Sequence, residues 1–230
     1  MKKYAVIVAG GAGKRMHSEL PKQFLLLLGK PVLFYTIKAF LQSFTDLTII
    51  LVLPEDHIEK GKELVDAYFD PSRIIFTAGG ETRFHSVRNG VSLVEGDGII
   101  FVHDGVRCLV TPQLIRYCYD SAVEHGSAIP CLPVKDSIRQ LTLPGTISVD
   151  RSVLRSIQTP QCFHSKILLP AMKNIEFKEK FTDEATVVEA YNIDLHLMEG
   201  EETNIKITTP IDMMLAEQIL LQRMKESIEG

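Results

Sequence analysis

Short apolar runs alternate with amphipathic stretches along almost the whole chain, and this alternation constrains the fold more than any other feature. The runs Tyr4–Ala9, Thr48–Leu53, Arg73–Thr77, Ile99–His103 and Ser127–Leu132 are rich in Ile and Val and bounded by turn residues, which predicts strands. Helical patterns cover Val32–Phe44 after Pro31, Glu55–Tyr68 after Pro54, Arg83–Val94, and Gln113–Glu124 after Thr111-Pro112. The prolines sit where a first helical turn tolerates them. Repeated β-α-β units of this kind predict an α/β fold, a Rossmann-like, mostly parallel sheet with helices on both faces and right-handed crossovers. Such sheets place ligands at the carboxyl ends of their strands.

The rhythm breaks between Val134 and Gln158. Asp136–Leu141, a Leu-Pro-Gly-Thr turn at 143–146, and Ile147–Asp150 read as a two-stranded arm. A lone hairpin is marginal in water, so this one is expected to pack on something. Helices at Ser165–Lys173 and Asp183–Tyr191, a strand at Asp194–Met198 and a helix from Pro210 to about Glu226 complete the pattern. No linker, repeat or low-complexity tract divides the chain. The expectation is one domain over 1–230 with a protruding β-arm at about 135–158.

Composition removes whole classes of function. With 45% hydrophobic and 23% charged residues, the 230-residue chain is neither a disordered nor a collagen-like sequence. A net charge of −4 gives no basic excess for nucleic acid or an anionic membrane. Cys108, Cys118, Cys131 and Cys162 form no CxxC pair and no metal-type spacing, so reduced, buried thiols in a cytoplasmic protein are expected. The apolar start from Tyr4 to Ala9 is too short for a signal-peptide core, and no run approaches the ~18 apolar residues of a membrane span.

Three segments carry candidate chemistry. The first strand runs into Ala9-Gly10-Gly11-Ala12-Gly13-Lys14-Arg15-Met16, where glycines let backbone N–H groups approach a phosphate chain. A dinucleotide fingerprint would need glycine at Met16, and a Walker A loop would need glycine at Val8 and Ser or Thr at Arg15, so both are excluded. Lys14, Arg15 and then Pro21-Lys22-Gln23-Phe24 add cations to the turn. A second segment, Gly79-Gly80-Glu81-Thr82-Arg83-Phe84-His85-Ser86, opens a helix after a strand and suits an anion or a base edge. The third is His103-Asp104-Gly105-Val106-Arg107, which puts charge at the ligand-bearing edge of a parallel sheet; His103 reads as a packed histidine without a role. Thr182 and Thr209 read as helix N-caps. Lys206, between Ile205 and Ile207, reads as strand-borne and in need of an anionic partner.

The segments AGGAGKRM, PKQF, GGETRFHSV, VHDGVR, VKDSIR, VDR, QTPQ, TDEA and NIKITTP, in this order over about residues 4–220, resemble the 2-C-methyl-D-erythritol 4-phosphate cytidylyltransferases of non-mevalonate isoprenoid synthesis. Two places depart from the family pattern: Ala9-Gly10 replaces a pair of alanines, and Asp104-Gly105-Val106-Arg107-Cys108 replaces Asp-Ala-Ala-Arg-Pro. The related ribitol 5-phosphate cytidylyltransferases share both tendencies and are the rival for the acceptor, while GGETRFHSV and VKDSIR favour the erythritol enzymes. A non-catalytic CTP-binding regulatory module is the alternative of another class, and Arg15 together with Lys22 argues against it.

The resemblance implies roles. The backbone of Ala9, Gly10, Gly11, Ala12 and Gly13 would cradle the triphosphate of CTP. Arg15, Lys22 and Lys206 would be catalytic cations, with Mg²⁺ bound mainly through the triphosphate and no protein ligand assigned to it. Gly80, Glu81, Ser86 and Gly105 would bind the nucleotide. Asp104, Arg107, Ser137, Arg151, Thr159 and Thr182 would bind a polyol phosphate acceptor. The family also implies a homodimer through the β-arm.

Overall fold

The computed structural model describes residues 1–11 and 20–229 and is built around one strand, Gly98–Asp104, whose seven residues are all buried. In chain order the strands are β1 (Lys2–Val8), the short β2 (Leu26–Leu27) and β3 (Lys30–Pro31), β4 (Leu47–Leu53), β5 (Ile74–Ala78) and β6 (Gly98–Asp104). They continue with β7 (Ser127–Pro133), β8 (Ile138–Thr142), β9 (Gly145–Val149), β10 (Arg155–Ile157), β11 (Gln161–His164) and β12 (Leu197–Glu199). The helices are α1 (Val32–Ser43), α2 (Ile58–Tyr68), α3 (Arg83–Val91), α4 (Pro112–His125), α5 (Ser165–Asn174), α6 (Glu184–Ala190) and α7 (Pro210–Glu229).

Strands β5, β4, β1 and β6 lie side by side and parallel, as the β-α-β rhythm predicts. The sheet then changes sense. β11 runs antiparallel between β6 and β7, β10 pairs antiparallel with β7, and β12 pairs with β7 in parallel. Neither β10 nor β11 is expected from the sequence, because Arg155-Ser156-Ile157 and Gln161-Cys162-Phe163-His164 are short and mixed in polarity.

Successive residues of the parallel strands enter opposite core layers. Ile7, Ile49 and Phe101 pack with α1 and α4 on one face, and Val6, Ile50 and Val102 pack with α3 and α5 on the other. Both faces are covered, which is why these strands read as continuous apolar runs. Each such side chain contributes about 1.5–3 kcal/mol when fully buried, against about 0–1 kcal/mol for a surface pair such as Lys3–Asp46. The sandwiched sheet therefore dominates the stability.

Several boundaries differ from the expectation. A 3₁₀ turn, Glu55–His57, precedes α2, and α3 ends at Val91 rather than Val94. The N-cap of α6 is Asp183, not Thr182: its carboxylate accepts from the Thr186 amide at 3.0 Å, and the charge also suits the positive helix end. Lys206 lies in an irregular stretch before α7 and not on a strand. The arm forms as expected, β8 and β9 pairing only with each other among the described strands. Among the described residues no helix is long and apolar enough to cross a membrane, and all four cysteines are unpaired and buried.

Helix α3 approaches the sheet closely because position 90 has no side chain. A Cβ on Gly90 would stand 2.5 Å from Val6 Cγ1 and 2.9 Å from Val52 Cγ2. Gly90→Ala is expected to lower stability by about 1–2 kcal/mol, since overpacking of about 1–3 kcal/mol outweighs a helix-propensity gain of up to about 1 kcal/mol. A thermal melt should fall by roughly 2–8 °C; an unchanged or higher midpoint would contradict this close packing.

Candidate active site

Three turns leave the carboxyl ends of parallel strands, and each is latched to the end of a neighbouring strand. Ala9 N–H donates to Val52 O at 2.9 Å, Gly79 N–H to Leu53 O at 2.7 Å, and Gly105 N–H to Val8 O at 2.8 Å. Together they wall a cavity of about 380 Å³. Gln23, itself buried, secures the first turn by donating from Nε2 to Ala9 O at 2.6 Å. Lys22 lines the same cavity, and its Nζ donates to Ile207 O at 2.9 Å.

The second turn is shaped around Ser86. Its Oγ accepts from Gly80 N–H at 3.1 Å and donates to Thr82 O at 3.0 Å. A Cβ on Gly80 would lie 2.5 Å from His85 Cβ, so the turn closes onto α3 only with glycine there. Thr82 caps α3 by accepting from His85 N–H at 3.4 Å. The helix thus starts at the cavity wall with the Gly80-Glu81 backbone in front of it.

The third wall is an ion cluster. The Asp104 carboxylate, at the end of β6, receives Arg83 Nε on Oδ1 at 3.0 Å and Lys206 Nζ on Oδ2 at 2.8 Å. Arg107 Nε lies 3.7 Å from Oδ2. Arg83 also forks onto the buried Glu184, donating to Oε1 at 2.6 Å and to Oε2 at 3.0 Å. Burial pushes the Asp104 carboxyl upward, but Arg83, Lys206 and Arg107 outweigh it and hold the group well below the usual carboxylate range. Burial works against the charge on Arg83, and Glu184 and Asp104 overcome it, so the guanidinium stays charged. For Glu184 burial leads and raises the carboxyl above its ordinary value, while the two-pronged contact with Arg83 pulls the other way.

The cavity gathers most of the residues singled out from the sequence. Ala9, Gly10, Gly11 and Lys22 line one side, Gly80, Glu81 and Ser86 another, and Asp104 and Lys206 the third. Lys206 has the anionic partner that its apolar flanks demand. Gly105 does not line the cavity; a Cβ there would be 2.9 Å from Ala9 Cβ, so its bareness lets the first turn sit down on β6. Arg107 is held behind Asp104, donating to Asn204 O at 2.8 Å. Thr159 is buried, with its hydroxyl between Asp104 N and His103 Nδ1. Ser137 and Arg151 are exposed near the two ends of the arm, Arg151 donating to Lys135 O, and Thr182 is exposed before the α6 cap. Ala12, Gly13, Lys14 and Arg15 lie outside the described residues.

A glycine turn with Lys22, a glycine pair closed on Ser86 and a carboxylate clamped by cations therefore surround one space. The sequence model described as 2-C-methyl-D-erythritol 4-phosphate cytidylyltransferase matches residues 4–222, nearly the full length. The chain belongs to this family. It is 46% identical over 220 residues to the 2-C-methyl-D-erythritol 4-phosphate cytidylyltransferase of Bacteroides thetaiotaomicron, covering 96% of this chain and 100% of that relative. It is 45% identical over 216 residues to the protein of the same name from Bacteroides fragilis, covering 94% and 98%. Its fold matches the 4-diphosphocytidyl-2C-methyl-D-erythritol synthase of Anaerococcus prevotii with a TM-score of 0.82 at 26% identity, covering 96% of each chain.

The structure adds residues that the sequence reading leaves without a role. Arg83 sits inside GGETRFHSV, yet its partner Glu184 is 101 positions away, and no spacing rule connects them. The available signal was TDEA, which offers a carboxylate beside the one that caps α6. Gln23 was visible in PKQF but not its hold on Ala9. His103 is fully buried, as a packed histidine should be, but both its ring nitrogens are engaged.

Removing one partner of the Arg83–Glu184 pair strands a charge beside the cavity. Glu184→Ala is expected to cost about 3 kcal/mol, the low end for a broken buried pair, because Arg83 keeps Asp104. At this chain length that is roughly 6–12 °C in the melting midpoint. A fall below 2 °C would mean that the pair holds nothing together.

Proposed function

We propose that the protein transfers CMP from CTP to 2-C-methyl-D-erythritol 4-phosphate, giving 4-diphosphocytidyl-2-C-methyl-D-erythritol and pyrophosphate in non-mevalonate isoprenoid precursor synthesis. The observation that carries this reading is the convergence of the phosphate turn, the Gly80–Ser86 turn and the Asp104–Lys206 pair on one cavity, in a chain of this family. An oxygen of the acceptor's phosphate monoester forms a bond to the α-phosphorus of CTP, and the bond from that phosphorus to the bridging oxygen of pyrophosphate breaks. Both reactants are anionic, so the protein's task is alignment and charge neutralisation. Backbone N–H groups of Gly10, Gly11, Ala12 and Gly13 take the triphosphate, while Ala9, whose N–H is spent on Val52 O, anchors the turn. Arg15, Lys22 and Lys206 supply positive charge around the α-phosphate.

Gly80, Glu81 and Ser86 are assigned to cytosine and ribose, and Asp104, with Arg107 and Thr159 behind it, to the acceptor end. Among the described residues no group of three His, Cys, Asp or Glu side chains could hold a metal by itself. The cavity does present the Asp104 carboxylate, and an oxygen donor set of one carboxylate with substrate phosphates suits Mg²⁺. When bound there, Mg²⁺ would neutralise charge on the triphosphate, with Asp104 as the protein group facing it. The reaction is read as cytoplasmic, which suits four buried, unpaired thiols.

The arm supports a homodimer reading. Leu141, Leu143 and Ile147 are exposed apolar side chains on a hairpin that a second arm, related by a two-fold axis, would cover. Ser137 and Arg151 would then serve the acceptor phosphate of the neighbouring subunit, which accounts for their absence from the lining of their own chain's cavity.

Incubation with CTP, Mg²⁺ and either 2-C-methyl-D-erythritol 4-phosphate or ribitol 5-phosphate tests the reading through pyrophosphate release. Turnover with the erythritol phosphate is expected; none with it, or a preference for ribitol 5-phosphate, would overturn the assignment. Lys22→Ala should cut turnover at least about a hundredfold, equivalent to ~2.7 kcal/mol of transition-state stabilisation. Near-normal turnover in the folded variant would remove Lys22 from the catalytic set. Replacing residues 141–147 by a short turn should give monomers by sedimentation, with weakened acceptor binding and retained CTP binding. A deletion variant that remains dimeric with an unchanged acceptor KM would refute the shared site.

A further inference from the structure

Behind the Asp104 wall, outside the cavity, a chain of hydrogen bonds runs through three buried groups. Asp104 N–H donates to Thr159 Oγ1 at 3.1 Å, and Thr159 Oγ1 lies 3.0 Å from His103 Nδ1. On the far side of the ring, His103 Nε2 lies 3.2 Å from Arg107 O. A carbonyl oxygen can only accept, so Nε2 carries the hydrogen. Nδ1 is then bare and must accept, which turns the Thr159 hydroxyl proton toward the imidazole and leaves an oxygen lone pair for Asp104 N–H. Each bond in the sequence fixes the direction of the next. The ring is also held edge-on to Phe40, with centroids 5.1 Å apart.

We propose that His103 is a positioning residue for the transfer reaction, acting as the Nε2–H tautomer that locks Thr159 to the Asp104 backbone and the Arg107 carbonyl to the same frame. His103 has no exposed surface and does not line the cavity, so it does not touch substrate. It works through Asp104 and Arg107, the two residues that bracket the turn after β6. Their side chains belong to the ion cluster, and their main chains are the two ends of this relay. The ring is fully buried between a hydroxyl and a carbonyl oxygen with no carboxylate on either nitrogen, a setting that favours the neutral imidazole. The inference rests on the functional reading above, because the geometry that it protects is that of the acceptor end.

Two substitutions split the relay. In His103→Asn the amide oxygen can occupy the Nδ1 position and accept from Thr159, but nothing reaches Arg107 O. In His103→Gln the amide nitrogen can reach toward Arg107 O, while the Thr159 hydroxyl loses its acceptor. If Thr159 is the link that matters, kcat/KM for 2-C-methyl-D-erythritol 4-phosphate should fall at least tenfold in His103→Gln and less than threefold in His103→Asn. The CTP dissociation constant should stay within twofold in both, because among the described residues the relay's own bonds, Asp104 N–H to Thr159, Thr159 to His103 and His103 to Arg107 O, include none to the Gly10-Gly11 or Gly80-Glu81 backbone. A merely structural histidine would instead lower the melting midpoint of both variants and leave the two substrates equally affected per folded site.

Equal losses in the two variants, or a CTP dissociation constant that moves as much as the acceptor term, would overturn the proposal. If His103→Gln does not accumulate, Thr159→Val should show the tenfold loss and Thr159→Ser should restore activity to within threefold; a wild-type-like Thr159→Val overturns the proposal. The imidazole nitrogen spectrum of the free wild-type protein gives a further check, since a protonated Nδ1 would contradict the relay. Inactive wild-type protein would sink the functional reading together with this inference, whereas active wild type with indifferent variants would sink this inference alone.

Discussion

The Asp104 carboxylate, buried at the end of the central strand, is the contact on which the site depends. An isolated carboxylate in that position would be costly, since transfer of a charge out of water is repaid only by close counter-charges with good geometry. Arg83, Lys206 and Arg107 supply them, from α3, from the stretch before α7 and from the turn after β6. One side chain thus ties together segments far apart in the chain. It also fixes where three cations stand before any anionic substrate arrives, which is the preorganisation that phosphoryl-type chemistry needs. Glu184 completes the arrangement by taking the other edge of Arg83, so that the guanidinium is held at two carboxylates and not drawn off to solvent.

Much of the scaffold was legible because it follows local rules. Parallel strands covered on both faces must be apolar throughout, and Val6, Ile7, Ile49, Ile50, Phe101 and Val102 satisfy that requirement side by side. Strands β10 and β11 have no such signature. Their place is set by pairing with β6 and β7, a long-range effect that four residues such as Gln161–His164 cannot announce. At α6 adjacent Thr182 and Asp183 are both good caps by residue type, and only the tertiary path selects Asp183.

The site divides in the same way. Glycines at strand exits and cations after them are visible as runs, and Lys206 between two isoleucines announced its need for an anion. The resemblance to a family then supplied roles that spacing alone leaves open. What the sequence could not disclose were the partners: Arg83 with Glu184, Gln23 with Ala9, and His103 between Thr159 and Arg107. Each joins a residue inside a recognisable motif to an atom whose position depends on the finished fold. Gly105 is the converse case, a residue inside a motif whose structural part is to leave room for Ala9.

On the proposed reading, the negative charge of Asp104, and not its shape, organises the acceptor end of the cavity. Asp104→Asn keeps the shape and some hydrogen bonding while removing the charge, so purified, folded variant can be compared with wild type in two measurements, CTP affinity and steady-state turnover. We expect CTP binding, measured without Mg²⁺, as tight as in wild type or tighter, because the cations released from Asp104 remain beside the triphosphate, and turnover with Mg²⁺ reduced by about a hundredfold or more, equivalent to ~2.7 kcal/mol. Turnover within a few-fold of wild type would contradict it.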